Sequence, residues 1–370
     1  MKNIILTTFS LLSFLVVTSV NAQTYVERTG AANPFSAFNV FSGSTPVFVN
    51  FDGDADLDVV IGDGGGKFWY YRNDGGTYTS IRGTDAASPF NWLDTGTESA
   101  PTFVDVDGDS DLDLVAGDGW TGTFKYYNNV AGVFTEKTGN DNPFDGLTVT
   151  KNAAPTFIDV DGDSDLDLVS GNDNGDFAYF QNNAGVYTAV TGAANPFNGL
   201  NTGGRSRPFF VDVDKDNDLD LVSGETWNGS FVYYENVAGV YTQVTGASNP
   251  FDGLTSNSGF YSAPTFADVD GDTDLDLISG DNNGKISYFE NTAPIVTAVQ
   301  DTAKEKVLTV YPNPTAGLVT VENGIYEVYS LVGAKLLEVN VLNKVLDLSS
   351  LSAGQYLLKS GASCTRVVKN

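Results

Sequence analysis

The 370-residue sequence predicts an all-β chain organised as five repeated sheets, and three observations carry that prediction. An acidic nonapeptide recurs five times, at residues 50–58, 105–113, 159–167, 212–220 and 268–276, with steps of 55, 54, 53 and 56 residues. A second marker keeps the same step: Asn33-Pro-Phe, Ser88-Pro-Phe, Asn142-Pro-Phe, Asn195-Pro-Phe and Asn249-Pro-Phe. Between the markers the apolar stretches are short, alternating and rich in β-branched and aromatic residues, with no helical periodicity of useful length.

The elements follow in order. Residues 1–22 have the three parts of a secretory signal: Lys2, an apolar run over 4–17, and the small-residue site Val20-Asn21-Ala22. The mature chain is expected to start at Gln23, and no later segment approaches the ~20 apolar residues of a membrane span. In the second unit, residues 101–106 enter the acidic loop and 112–116 leave it. An aromatic alternating run follows at 124–129, then the turn Ala131-Gly132 and a last strand at 133–138. Four short antiparallel strands per repeat make a propeller blade. The fifth unit stops after its third strand, 286–291, and lacks the segment seen as Tyr187–Gly192 and Tyr241–Gly246; the matching piece, Tyr25-Val-Glu-Arg-Thr-Gly30, stands at the mature N-terminus. Residues 23–293 are therefore expected to form a five-bladed β-propeller whose N-terminal strand closes the last blade. Each Asn-Pro-Phe phenylalanine is expected to plug the gap between neighbouring blades.

Charge gives the chemistry. The chain carries 47 acidic against 19 basic side chains, a formal net of −28, and the five loops hold 24 of those acids. A pI near 4.1 without a basic stripe disfavours nucleic-acid binding. Two like charges about 4 Å apart repel by roughly 4 kcal/mol at an effective dielectric near 20. A folded loop with four or five carboxylates thus calls for a cation, and hard oxygen donors with no His or Cys among them select Ca²⁺. Up to five ions are expected. No His occurs anywhere, which removes Ser-His-Asp and Cys-His catalysis. The single Cys364 excludes an intrachain disulfide framework. Two-carboxylate glycoside hydrolysis needs neither residue, but the acids outside the loops, such as Glu98, Glu136, Glu225 and Glu235, are scattered. The expectation is a protein that is not an enzyme.

Pro101-Thr-Phe-Val-Asp-Val-Asp-Gly-Asp-Ser-Asp-Leu-Asp-Leu-Val, and its counterpart starting at Pro155, resemble the FG-GAP/VCBS repeats, related to the integrin α-chain propeller. The resemblance implies side-chain metal ligands at loop positions one, three, five and nine, with a backbone carbonyl at position seven. Carried onto this sequence, these are Asn50, Asp52, Asp54 and Asp58; Asp105, Asp107, Asp109 and Asp113; Asp159, Asp161, Asp163 and Asp167; Asp212, Asp214, Asp216 and Asp220; and Asp268, Asp270, Asp272 and Asp276. Asn50 makes the first site one charge weaker, and Lys215 replaces the turn glycine of the fourth.

After the repeats, residues 294–306 read as a linker. Residues 307–370 carry Val310-Tyr-Pro-Asn-Pro-Thr315, Val328-Tyr-Ser-Leu-Val-Gly-Ala-Lys-Leu-Leu337, Leu348-Ser-Ser-Leu-Ser-Ala-Gly-Gln-Tyr-Leu-Leu-Lys359 and Arg366-Val-Val-Lys369. These blocks resemble the type A C-terminal sorting domain of type IX secretion. The resemblance implies a small Ig-like β-sandwich read by that secretion machinery, in a Gram-negative bacterium of the Bacteroidota type, and a product that is secreted or held on the outer cell surface.

Alternating strand direction puts the acidic loops on one face of the blades and the two-to-three hairpins and Asn-Pro-Phe connections on the other. That second face carries Trp92, Trp120, Trp227, Arg205 and Arg207, the candidate contacts for an extracellular glycan or protein ligand. The expected function is recognition or adhesion outside the cell. A carbohydrate-active enzyme or its sugar-binding module is the second possibility, and a structural surface component the third.

Overall fold

The computed structural model describes residues 23–54, 56–82, 88–292, 310–311, 313–330, 335–360 and 363–370. The predicted signal segment and the linker at 294–306 lie outside the described residues. The chain divides into two compact units, with the boundary after residue 294.

Among the described residues, the first unit holds five four-stranded antiparallel sheets, arranged like propeller blades. In the second sheet the strands Ala100–Val104, Asp113–Gly117, Phe124–Val130 and Val133–Lys137 pair in chain order. Val104 faces Asp113, Gly117 faces Phe124, and Val130 faces Val133 across the tight Ala131-Gly132 turn. Every residue of the second strand is buried, which is why it reads as a continuous run of small and branched apolar residues. The outer strand alternates between half-exposed and exposed residues. The innermost strand carries a proline at its second position in all five sheets (Pro46, Pro101, Pro155, Pro208 and Pro264). It pairs on one side only, so the missing N–H costs no ladder bond.

The fifth sheet takes its outer strand from the N-terminus. Tyr25–Arg28 pairs antiparallel with Ile286–Asn291, Tyr25 facing Asn291 and Arg28 facing Tyr288. The Arg28 guanidinium closes on Glu290 at 2.7 Å, a half-exposed pair of the class that contributes ~0–1 kcal/mol.

Adjacent sheets meet through two repeated devices. The inner strands succeed one another: Thr45–Val49 lies against Ala100–Val104, followed by Ala154–Ile158, Arg207–Val211 and Ala263–Ala267, and the last lies against Thr45–Val49. The second strands end in Gly62, Gly117, Gly171, Gly224 and Gly280. A Cβ on any of these would stand 1.9–2.2 Å from a backbone carbonyl oxygen of the next sheet, at Ser99, Ala153, Ser206, Ser262 and Ser44 respectively. Only glycine permits that approach. The second device is the Asn-Pro-Phe wedge. Phe35, Phe90, Phe144, Phe197 and Phe251 are each 1% exposed. Phe144 meets Tyr126 of one sheet and Phe157 and Tyr187 of the next, while Asn142 Oδ1 accepts its N–H at 2.9 Å. Full burial of one such ring contributes ~1.5–3 kcal/mol.

The second unit has a four-stranded sheet ordered Lys335–Val341, Gly324–Ser330, Gly354–Ser360 and Ser363–Lys369. A two-stranded pair, Leu318–Thr320 with Val345–Asp347, accompanies it. Val319, Tyr326, Val328, Leu346 and Leu358 form its buried core.

Candidate functional site

Each acidic loop joins the inner strand to the second, and its carboxylates organise it before any metal is considered. In the second loop Asp105 Oδ1 accepts the Gly108 N–H at 2.8 Å and Oδ2 the Ser110 N–H at 3.0 Å. Gly108 and Ser110 both take left-handed backbone conformations, φ 79° and 76°, which curls the loop around its own acids. Asp113 opens the second strand, fully buried. Its Oδ1 accepts the Asn129 N–H at 2.7 Å, and Oδ2 accepts the Val106 N–H and the Tyr126 hydroxyl, both at 3.0 Å. The set recurs at Asp58, Asp167, Asp220 and Asp276. Burial pushes these carboxyls above the ordinary carboxylate range, to about 6 at Asp220 and Asp276, against the pull of the backbone N–H donors.

Among the described residues, three carboxylates converge in each of the second to fifth loops. Asp105, Asp107 and Asp113 offer oxygens that all lie within 4.8 Å of one another, as do Asp159, Asp161 and Asp167, then Asp212, Asp214 and Asp220, and in the last loop Asp268, Asp270 and Asp272. Oxygens bound to one Ca²⁺ at 2.3–2.6 Å stand at most about 5 Å apart, so each triad fits one ion of that size with hard donors only. The other predicted side-chain ligand lies outside each triad: Asp109, Asp163 and Asp216 in loops two to four, Asp276 in loop five. The first loop brings no such triad together among the described residues; Asn50 Oδ1 is occupied by the Gly53 N–H at 2.8 Å.

Position seven has a second job that the resemblance did not imply. The side chains of Asp56, Asp111, Asp165 and Asp218 accept the N–H of Gly75, Ala131, Ala184 and Ala238, tying each loop to the turn before the outer strand. In the fifth sheet the outer strand comes from the N-terminus and that turn is missing. Asp274 instead pairs with Lys215 at 2.7 Å. The lysine that replaced a turn glycine thus bridges loops four and five, holding φ at 66° to do so.

One third-strand position lies over loop position three in every sheet and is filled by four different residue types, Glu appearing twice. Asn128 donates to Asp107 Oδ2 at 2.7 Å, and Gln181 donates to Asp161 Oδ2. Burial raises the pKa of Asp214 and Asp270, and Glu235 and Glu290, each placing a further carboxylate nearby, add a smaller push in the same direction. In the first sheet the position is Arg72, a cation that pairs with Asp74 at 2.9 Å and also feels Asp52 of the loop that already lacks one charge.

The opposite face does not repeat. Two residues before each inner strand stand Gly43, Glu98, Asn152, Arg205 and Tyr261. Glu98, Asn152 and Tyr261 adopt left-handed backbone at φ 44°, 52° and 63°, where the first unit uses glycine. Arg205 reaches over the third unit to Glu98 Oε2 at 2.7 Å and also holds Asp173 at 3.0 Å. These residues, with Trp120 and Lys151, line a depression of about 320 Å³. Trp92, Trp120 and Trp227 are 81%, 69% and 66% exposed. Lys151 Nζ sits 4.1 Å over the Trp120 ring, and Trp227 Nε1 donates to the Gly203 carbonyl at 3.1 Å. Glu225 is consumed in capping its own hairpin, accepting the Trp227 and Asn228 N–H groups. Arg207 is not on this open surface. It is 4% exposed, with its guanidinium 4.9 Å from the Tyr261 ring. Lys151, Asn152, Asp173 and Tyr261 escaped the sequence reading; aligning the units on the two residues preceding each inner strand would have exposed two of them.

Comparison with known proteins matches the FG-GAP-like repeat family over residues 50–116 and 159–223. It matches the secretion system C-terminal sorting domain family over residues 309–370. No curated protein matches the chain. Among solved structures, 70% of the chain aligns with 67% of an Agrocybe aegerita lectin that recognises non-reducing terminal N-acetylglucosamine, at 17% identity and TM-score 0.36. It aligns over 88% of its length with 51% of PorZ, a surface component of the type IX secretion system of Porphyromonas gingivalis, at 13% identity and TM-score 0.30. A third likeness covers 91% of the chain and 46% of the extracellular domain of BT3049, a two-component system protein of B. thetaiotaomicron, at 14% identity and TM-score 0.36. The chain thus spans about half the length of the second and third. Among the described residues no helix is long and apolar enough to cross a membrane. The sorting domain implies export to the cell surface or beyond in a Bacteroidota-type bacterium. This chain carries FG-GAP-like repeats followed by a type IX secretion C-terminal sorting domain.

Proposed function

We propose that residues 23–293 form a closed five-bladed propeller, stabilised by Ca²⁺ in its acidic loops, and that the opposite face recognises a glycan or protein outside the cell. In this reading the tail is an Ig-like sandwich that addresses the protein to the type IX machinery. The succession of inner strands, which returns from Ala263–Ala267 to Thr45–Val49, supports closure.

One observation carries the recognition reading. Equivalent positions on the loop face hold nearly the same residue five times, whereas the five equivalent rim positions on the other face hold Gly43, Glu98, Asn152, Arg205 and Tyr261. Left-handed backbone at a non-glycine residue costs of order 1–3 kcal/mol. Three such residues at equivalent places support a use for their side chains: Glu98 holds Arg205 at the surface, while the buried Asn152 and Tyr261 support the rim from beneath, Asn152 donating to Asp173 and Tyr261 lying under the Arg205 guanidinium. The exposed Trp120 ring beside the depression, already partnered by a cation, adds an aromatic platform of the kind sugars and peptides use. Of the acids on this face, Glu98 and Asp173 are ion-paired with Arg205 and Glu225 caps its own hairpin, which favours binding over hydrolysis around the depression. A screen of the mature protein against glycans and extracellular proteins tests the reading. Wild-type protein should capture a ligand that the Glu98→Ala/Arg205→Ala variant loses at unchanged melting point. Polysaccharide cleavage in the same samples would replace binding by catalysis.

A further inference from the structure

Beneath the rim lies a cavity of about 60 Å³, lined by the first three residues of all five inner strands. By this measure a water needs roughly 10–15 Å³, so the cavity has room for a group of three or four heavy atoms. Four strands begin with Thr45, Ala100, Ala154 and Ala263; the fourth in order begins with Arg207, the cavity's sole charged lining residue. Since alanine serves at three equivalent places, the fold does not require this arginine. Its guanidinium cannot shed its charge. It is 4% exposed and, among the described residues, meets no carboxylate. Nη2 donates to the Tyr261 hydroxyl, whereas Nε and Nη1 have no partner. Thr45 Oγ1, at the same level of the cavity, is also buried without one. Burying a fixed cation with free N–H donors is costly unless a counter-charge meets it.

We propose that this cavity is a site for one small monovalent anion, a free carboxylate or a halide, held by Arg207 Nε and Nη1 with Thr45 Oγ1 as an added donor. The inference stands whether or not the rim above binds a macromolecule, because it rests on the buried charge alone. It also runs against the overall charge of the chain, so it is local: Glu98 is already neutralised by Arg205, and Glu225, which follows the Gly224 that faces Arg207, is taken up by the Trp227 and Asn228 N–H groups.

Calcium-saturated protein, prepared with a bulky counter-ion, is titrated with sodium formate while its melting point is followed. Crystals are soaked in bromide, with and without competing formate. We expect a saturating rise of the melting point with formate, and an anomalous bromide peak within contact distance of Arg207 that formate removes. In Arg207→Ala the apparent formate affinity should fall at least about tenfold, the loss that goes with removing a charged hydrogen-bond donor, and the peak should vanish. A formate response identical in the two proteins, or a wild-type crystal with no peak beside Arg207, overturns the proposal. The crystal arm needs no variant, so a variant that fails to fold leaves the test intact.

Discussion

Gly280 closes the fifth sheet onto the first, and Gly280→Ala puts that closure to a quantitative test. The added Cβ would stand 2.0 Å from the Ser44 carbonyl oxygen, 2.6 Å from its carbon and 2.7 Å from Ser44 Oγ. Two of these three atoms are backbone, and Ser44 Oγ is itself fixed by donating to the Lys285 carbonyl at 2.8 Å. No rotamer change relieves the contact, so the two sheets must separate. Overpacking of a tight interior costs ~1–3 kcal/mol, and a backbone clash belongs at or above the top of that range. About 3 kcal/mol lowers the melting point by roughly 6–12 °C in a domain of this size. Gly117→Ala is the control, because it makes the same 2.0 Å contact, with Ala153, between consecutive sheets. Calorimetry in saturating Ca²⁺ should show losses of similar size in both variants. If Gly117→Ala is costly and Gly280→Ala is silent, the first and fifth sheets do not pack and the ring is open.

Three further outcomes are expected. Stripped of calcium, the protein should melt higher at pH 5 than at pH 7. Asp220 and Asp276 are pushed up to about 6 in the fold, against about 3.9 unfolded, so the folded state binds the extra protons across that window and loses stability as pH rises through 6. With Ca²⁺ present the order should reverse, since ligation needs the carboxylates ionised; a calcium-free melting point that falls on acidification contradicts this. The first loop should bind Ca²⁺ most weakly, and Asn50→Asp/Arg72→Gln should add one tight site by isothermal titration; unchanged stoichiometry and affinity would show that charge does not limit it. Trp120→Ala should weaken ligand binding by ~1–3 kcal/mol at an unchanged melting point, whereas Asp107→Ala should lower the melting point and leave binding intact once Ca²⁺ is in excess. A Trp120 variant that binds normally but melts early would make that ring packing.

What repeats was legible in the sequence; what breaks the repeat was less so. The acidic loops, the strand order, the buried Asn-Pro-Phe rings and the displaced outer strand 25–28 all follow from spacing, because each unit buries itself against an equivalent neighbour and one pattern serves five times. The Arg205–Glu98 pair joins residues 107 apart, and only superposed units put them at equivalent rim positions. Arg207 was read as a surface contact because its neighbour Arg205 is one. Two residues separate rim from interior here, because the inner strand begins at Arg207 and Arg205 lies in the connection before it. Lys215 looked like damage to a turn, and its partner Asp274 becomes available only because the fifth sheet borrows its outer strand from the other end of the chain. Asn128, Gln181 and Glu235 lie some twenty residues from the carboxylates they modulate, across a hairpin whose register the sequence suggests without naming the facing pair.

If calcium in the acidic loops holds the ring together, thermal unfolding of the mature protein with and without chelator will read it out. Ligand at a hundredfold excess over Kd stabilises by ~2.7 kcal/mol per site, and the four loops with converged carboxylate triads would together dominate the stability of the domain. Chelation should cause a large, reversible fall in melting point, restored by Ca²⁺. An unchanged midpoint would contradict it.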